Sequence, residues 1–467
     1  MFTRAIRNKK VLIFLLILFI LLIPVFRALR APVVRVNELK GKIINGESAY
    51  RGNCERTGFI NLNPILSEPK LSWSFKLSHF LNEKALIPFY SHIAYKNYVF
   101  VIDPRGILHA LNADSGEEIW KIEEKDYFTV GKPWLIADDV LFYTLGGFLS
   151  LHKIEGVDIR TGREVFRCNL PDDEVVDKSG FIIKDGRLYF AVMKLGRYRP
   201  PFGISLVWPY IPEERVYAID LNTNKIRWRT KVKCDVENYS PHSSVFAFSW
   251  YSGHHTLIYY NRESKTLISI DPDTGKIKRR IWINLTDAVP IVDGKLFLKG
   301  SIYDVETGEA IWRTIWRMDL NYKYFTTPAI KGNAVYFAAS SDTEGNVFAF
   351  DIDTHKEKWE TKIGKIIRPK FFFIAKSVIY LYEYDKRKGA QFVCLDSNNG
   401  KILWKYDPLK AIPDFDKIPT LLPEHIKLIY PYWIQSFTDP VPEFDKVPLI
   451  GNGAIYISGV DGLYKIH

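Results

Sequence analysis

Residues 109–120 read HALNADSGEEIW, and this stretch decides how the chain is read because its pattern returns. Asn112 is followed by Ser115 at the third place, Gly116 at the fourth and Trp120 at the eighth. Related stretches anchor on Asp158, Asp220, Asp271, Asp304, Asp351 and Asp396. Their third places are Thr161, Thr223, Thr274, Thr307, Thr354 and Asn399, and their fourth places are Gly162, Asn224, Gly275, Gly308, His355 and Gly400. Their eighth places are Phe166, Trp228, Arg279, Trp312, Trp359 and Trp404.

Each anchor follows a short apolar run and precedes a second one, which reads as strand, turn, strand. An Asp side chain caps amides of such a turn, and a Thr hydroxyl does so more weakly. Gly at the fourth place supplies positive φ without a Cβ penalty. The eighth-place aromatic, on the outer strand, is expected to bury its ring against the next unit. Trp73, Trp120, Phe166, Trp228, Trp312, Trp359 and Trp404 are therefore the candidate docking residues between units. A second apolar pattern starts each unit upstream, often at a Pro such as Pro133, Pro290 or Pro328, and makes four strands per repeat. Successive anchors lie 46, 62, 51, 33, 47 and 45 residues apart. Four-stranded repeats at that spacing indicate propeller blades rather than a helical solenoid.

The stretches HALNADSGEEIW, YAIDLNTNKIRW, YDVETGEAIW, FAFDIDTHKEKW and VCLDSNNGKILW resemble the PQQ-repeat, quinoprotein-like β-propeller family, as does the opening RGNCERTG with LSWSF. The resemblance covers roughly residues 50–467 and implies an all-β fold. The C-terminal VPLIGNGAIYISGVDGLYKIH holds three strands and stops where an anchor would stand, while residues 71–77 near the other end look like the missing outer strand. Eight four-stranded blades are expected, the last completed by that strand, with seven as the rival count because two repeats are irregular. The expected organisation is a basic tail and single transmembrane helix over 1–35, a leading segment over 36–70 and the propeller over 71–467. Insertions fall near 193–215 and 407–447.

Residues 11–26, VLIFLLILFILLIPVF, hold no charge and span about 24 Å as a helix, a little short of a bilayer core. Arg4, Arg7, Lys9 and Lys10 precede them, so the positive-inside rule puts the N-terminus in the cytoplasm and the propeller outside it. A cleaved signal peptide is the alternative. The formal charge of +11 is largely this segment's: without the seven basic residues of 1–35, 57 basic residues face 53 acidic ones. Nucleic-acid binding is not expected of so mildly basic a body.

The four cysteines, Cys54, Cys168, Cys234 and Cys394, show no CxxC spacing. Cys168 and Cys234 follow the eighth places of adjacent repeats, so they are read either as a bridge between outer strands or as buried free thiols. Enzymes of the resembled superfamily use a bound quinone, Ca²⁺ and commonly an adjacent Cys-Cys disulfide, which this chain lacks. DPDTG at 271–275 reads as the repeat turn rather than as a Ca²⁺ loop, whose ligand series it does not complete. The expectation is no catalytic, metal or cofactor-binding residue and no cofactor.

Two insertions carry the candidate partner-binding residues. The first holds Arg197, Tyr198, Phe202, Trp208 and Tyr210 among prolines, residue types that anchor protein interfaces. The second contains an echo, PDFDKIP at 413–419 and PEFDKVP at 442–448, and places Tyr432 and Trp433 between the copies. Both sets also suit loops packed onto the ring. The expected function is a non-catalytic scaffold for envelope or membrane proteins, as the resemblance to BamB-like members implies. A receptor for a small molecule or glycan, and a quinone-dependent dehydrogenase, are the alternatives.

Overall fold

The structure is a computed structural model. It describes residues 33–35, 59–60, 63–76, most of 91–407 and most of 449–467. Every regular element among the described residues is a strand. The strands form six sheets of four or five strands and one of ten, and neighbours within a unit run antiparallel in chain order. We number the units in that order. Unit one, for example, pairs Ser91–Tyr95, Tyr98–Ile102, Leu108–Asn112 and Glu118–Ile122. The ten-stranded sheet contains units six and seven, joined where Lys365 and Ile366 pair with Tyr384 and Glu383.

Strand burial explains the stacking. The second and third strands are apolar on both faces, as in Tyr98–Ile102 and Ala334–Ser340, because each is covered by the units on either side. Outer strands alternate instead; Lys225–Val232 buries Trp228 and Val232 and exposes its charged residues. Apolar clusters accordingly sit between units. Phe100 and Ala110 of unit one meet Ile136 and Leu141 of unit two. Tyr189 and Trp228 of unit three meet Leu257 and Ile268 of unit four. Val99 and Leu111 of unit one also meet Tyr456 and Leu463, which belong to the last unit, so the chain's end packs on its beginning.

That last unit is assembled from both ends of the chain. Leu449–Gly451, Ala454–Ser458 and Gly462–Ile466 are completed by Leu71–Lys76, which pairs antiparallel with Gly462–Ile466. Lys70 and His467 exchange two backbone hydrogen bonds of 2.9 Å. In an uninterrupted repeat the anchor makes such a bond to the residue five places on, as Asn112 N does to Glu117 O. The chain thus breaks at the anchor turn, and residues 63–70 supply the turn's place from the other end.

The anchor turns behave as their residue types dictate. Asp158 Oδ1 accepts from the amides of Arg160 and Thr161, both at 3.0 Å, and from the Thr161 hydroxyl at 3.0 Å. Asp271 and Asp351 repeat this set, and Asp220 and Asp304 accept the two amides. Burial alone would raise the carboxyls of Asp158, Asp220 and Asp271, but the hydrogen bonds from their turns outweigh it and hold them below the ordinary 3.8. At Asp351 the Thr354 amide and hydroxyl lower it directly. Folded values below unfolded ones give stability that is present above about pH 4 and lost as pH falls through the folded values. Melting temperature should therefore hold from neutral pH to about pH 5 and then fall toward pH 3. A flat profile across that range would show that the turns contribute nothing.

The eighth-place residues reach the following unit. The indole N–H of Trp73, Trp120, Trp228 and Trp359 donates to the carbonyl just after the next anchor: Ala113 at 3.0 Å, Ile159 at 2.9 Å, Pro272 at 2.9 Å and Ser397 at 3.1 Å. Trp404 donates to Ile65 O at 2.9 Å, so Ile65 takes the acceptor role where the last unit has no anchor. Phe166, without a donor, is buried with Cys168 between units two and three. Trp312 stacks on His355, centroids 5.0 Å apart and planes 7° from parallel. Arg279 donates to the Glu306 carbonyl in place of an indole. Within their own units Trp73, Trp228 and Trp404 each lie 5.9 Å from a tyrosine ring: Tyr456, Tyr189 and Tyr380.

Two strands have no counterpart in the repeat, and three of the repeats add an ion pair. Val33–Arg35 forms a fifth strand along the outer strand of unit two, with Val34 opposite Cys168. Phe59–Ile60 runs parallel to Phe372–Ala375 of unit seven. Aspartates two places after an anchor take a cation from the preceding unit: Lys465 reaches Asp114 at 3.9 Å, Arg187 reaches Asp273 at 2.6 Å and Lys295 reaches Asp353 at 3.9 Å. Cys168 is a buried free thiol, so it does not pair with Cys234; Cys394 is likewise free and buried. Among the described residues no helix is long and apolar enough to cross a membrane, and residues 11–26 lie outside them.

Candidate functional site

Strand direction fixes two unlike ends of the stack. In each four-stranded meander the first and third hairpins, including the anchor turns, lie at one end. The loop between second and third strands and the passage to the next unit lie at the other. The second strand of unit three ends at Lys194 and its third begins at Glu213. The outer strand of unit seven ends at Tyr406 and the last unit begins at Leu449. Both long insertions therefore leave from the end opposite the anchor turns. Arg197, Tyr198, Phe202, Trp208, Tyr210, Tyr432 and Trp433 themselves lie outside the described residues.

Beneath that loop end is a set of buried carboxylates that spacing did not single out. Glu174, first residue of Glu174–Val176, accepts from Arg215 Nη1 at 2.9 Å and the Tyr217 hydroxyl at 2.8 Å. Glu155 pairs with Arg167 Nη2 at 2.8 Å and accepts from Tyr143 at 3.3 Å. Glu214 accepts from the Tyr259 hydroxyl. Glu383 accepts from Gly364 N at 2.7 Å and from Lys405 Nζ. The His109 ring, 3% exposed, has Nδ1 2.6 Å from Glu118 and Nε2 3.4 Å from Asp103.

Chemically this set is matched inward. A buried charge is tolerated when a cation and hydrogen bonds compensate it, and removing one partner typically costs about 3–5 kcal/mol. Burial pushes the Tyr217 hydroxyl up to about 12, with the Glu174 charge adding to it, so it serves as a proton donor to that carboxylate. Burial also pushes the Cys168 thiol up to about 12, which removes it as a nucleophile near neutral pH. Among the described residues no group of three His, Cys, Asp or Glu side chains is placed to hold a metal ion. The Asp271 carboxylate, in the DPDTG turn, is taken up by its own amides. Glu155, Glu174 and Glu383 thus face cations of the fold, and Glu214 faces a hydroxyl.

Four-stranded antiparallel units packed face to face, with indoles docked over acid-capped turns, define a β-propeller built from PQQ-like repeats. The family described as outer membrane protein assembly factor BamB matches residues 152–406, more than half of the chain, and the protein belongs to that family. It is 33% identical over 88 residues to methanol dehydrogenase [cytochrome c] subunit 1 of Methylorubrum extorquens, a match covering 17% of this chain and 14% of that subunit's length. Its fold is similar to that of BamB from Moraxella catarrhalis, with TM-score 0.44, 13% identity, and coverage of 85% of this chain and 99% of the other. It is also similar to a europium-containing methanol dehydrogenase, with TM-score 0.49, 13% identity, and coverage of 78% and 85%.

Proposed function

We propose that the protein is a non-catalytic, protein-binding scaffold of the cell envelope: an eight-bladed ring outside the cytoplasm, tethered through an N-terminal membrane helix. The observation that carries this is the shared exit of both long insertions at one end of the stack, above carboxylates already matched by the fold. A rigid ring with two long, aromatic-rich segments on one face suits display and capture of partner proteins. Membership in the family described as BamB agrees with an assembly role. The units that pack in sequence from the last through the first to the seventh support eight blades.

Affinity capture of the full chain from detergent-solubilised membranes tests the reading, with a variant in which a short Gly linker replaces residues 196–210. The intact chain should retain one or more envelope proteins, and the variant should lose at least one while keeping its melting temperature. Recovery of nothing above background, with a small ligand raising the melting temperature of the intact chain, would favour a receptor instead. The stretch shared with a methanol dehydrogenase subunit favours a second reading, a quinone-dependent oxidoreductase. Reconstitution with added quinone and Ca²⁺ should give no dye-linked alcohol oxidation if the scaffold reading holds.

A further inference from the structure

The outer strands of units three and four are charged unlike the others. On Lys225–Val232, Lys225, Arg227, Arg229 and Lys231 are exposed, and a β-bulge at Arg227 spreads them over both sides of the strand, around the buried Trp228. On Ile277–Trp282, Lys278, Arg279, Arg280 and Trp282 are exposed, with the same bulge at Lys278. They hold four and three cations and no acid, whereas Glu118–Ile122 and Glu357–Ile366 mix both signs and the acid-free Ala310–Arg313, Ile402–Tyr406 and Leu71–Lys76 hold one cation each. Lys278 also lies 3.4 Å from the anchor Asp271. The two strands are neighbours on the rim, since Trp228 donates to Pro272 O and Thr230 Oγ1 to Gly275 O, both in unit four's anchor turn.

Trp282 is 70% exposed, with Lys265 Nζ 6.0 Å from its ring centroid. A large indole facing out among cations is poorly placed in bulk water. It is well placed at a bilayer's headgroup level, where amphipathic rings and basic side chains both gain. The chain's course points to the same side. Val33–Arg35 lies along the outer strand of unit two, which packs on unit three through Phe166, Cys168, Leu188 and Tyr217. Phe26 ends the uncharged run seven residues before Val33, a tether of about 25 Å at most.

We propose that the rim formed by Lys225, Arg227, Arg229, Lys278, Arg280 and Trp282 docks on an anionic lipid-headgroup layer, holding the ring side-on to the membrane that carries its own N-terminal segment. This rests on the tethered reading above. Side-on docking leaves the loop end facing along the membrane plane, open to membrane-embedded partners.

The test uses the full chain with Trp282 replaced by the photo-crosslinking residue p-benzoylphenylalanine, reconstituted in nanodiscs. One set contains phosphatidylcholine alone and the other an equal mixture with phosphatidylglycerol. Lipid adducts at position 282 should appear in the mixture and fall about tenfold without the anionic lipid, in high salt, or with Arg227→Glu, Arg229→Glu, Lys278→Glu and Arg280→Glu combined. The same crosslinker in place of Lys358, on unit six, should give none. Because reversal of four charges risks misfolding, the Gln set at those positions is measured beside it with circular dichroism. Carbonate extraction of native membranes reports the tether separately. A carbonate-resistant chain with no lipid adduct at 282 overturns the rim proposal alone, and a protein or nucleic-acid adduct there in native membranes does so as well. Release by carbonate overturns the tethered reading, whatever position 282 reports.

Discussion

An internal deletion of residues 63–76 is expected to abolish the single cooperative unfolding transition of the propeller. Three losses act together. Gly462–Ile466 becomes an open edge with unpaired backbone groups, which favours association with other chains. Trp73 no longer docks on Ala113 O, and Phe75 leaves the cluster that joins the last unit to the first. Trp404, 6% exposed, loses its acceptor at Ile65 O and its cover. Two substitutions separate these terms. Trp404→Ala should lower the unfolding free energy by about 3–5 kcal/mol, the usual cost of truncating a buried aromatic. Trp73→Ala should cost less, about 2–4 kcal/mol, because its ring is only half-buried. Denaturant melts followed by circular dichroism read all three. If the deleted chain still unfolds in one transition at an unchanged midpoint, the two ends of the sequence do not close the ring.

The closing strand shows what a sequence can disclose here and what it cannot. The repeat was legible because each position answers a local demand: a carboxylate to cap two amides, a residue that accepts positive φ, a ring to fill the next interface. Those demands leave a fixed spacing, and the all-β propeller class follows from it. The acceptor of each indole was not legible, because it is a backbone carbonyl, supplied equally well by Ala113, Ile159, Pro272 or Ser397. For the same reason Ile65 gave no signal, although it completes the interface under Trp404. The buried acids were also invisible. Glu155, Glu174 and Glu383 find their cations on other strands, at distances along the chain that no motif fixes. Val33–Arg35, which pairs with the outer strand of unit two, reads as linker in the sequence. The partner-binding candidates stand out in the sequence by aromatic and Arg content; the structure adds the face from which their segments leave, through the strand ends that bracket them.

The second large effect concerns Gly275, where two demands meet on one atom. Its φ of +72° lies in the left-handed region, and a Cβ built there would stand 2.5 Å from Trp228 Cδ2, 2.6 Å from Cε3 and 2.7 Å from Thr230 Oγ1. Gly275→Ala should therefore cost about 1–2 kcal/mol for the backbone and about 1–3 kcal/mol more for displacing the indole. Gly332→Ala is the matched control, since its φ is +55° and nothing lies within 4 Å of the added carbon. It should lose only the backbone part. In a Trp228→Ala background, itself about 3–5 kcal/mol less stable, Gly275→Ala should fall toward the Gly332→Ala value. A small excess is expected to remain because Thr230 Oγ1 stays in place, donating to Gly275 O. Denaturant melts of the four members of the cycle give the coupling energy, expected at about 1–3 kcal/mol. The chain's own variation bears on this. Where the preceding unit offers Phe166, the fourth place holds Asn224 at φ 57°, and where it offers Trp312, it holds His355 at φ 58°, which meets the indole by stacking. At Gly116, Gly162, Gly275 and Gly400 an added Cβ would meet the preceding unit's indole, so at these four places glycine answers the ring as well as the turn. Equal costs for Gly275→Ala and Gly332→Ala would reduce the requirement to backbone conformation and remove the seat from the docking account.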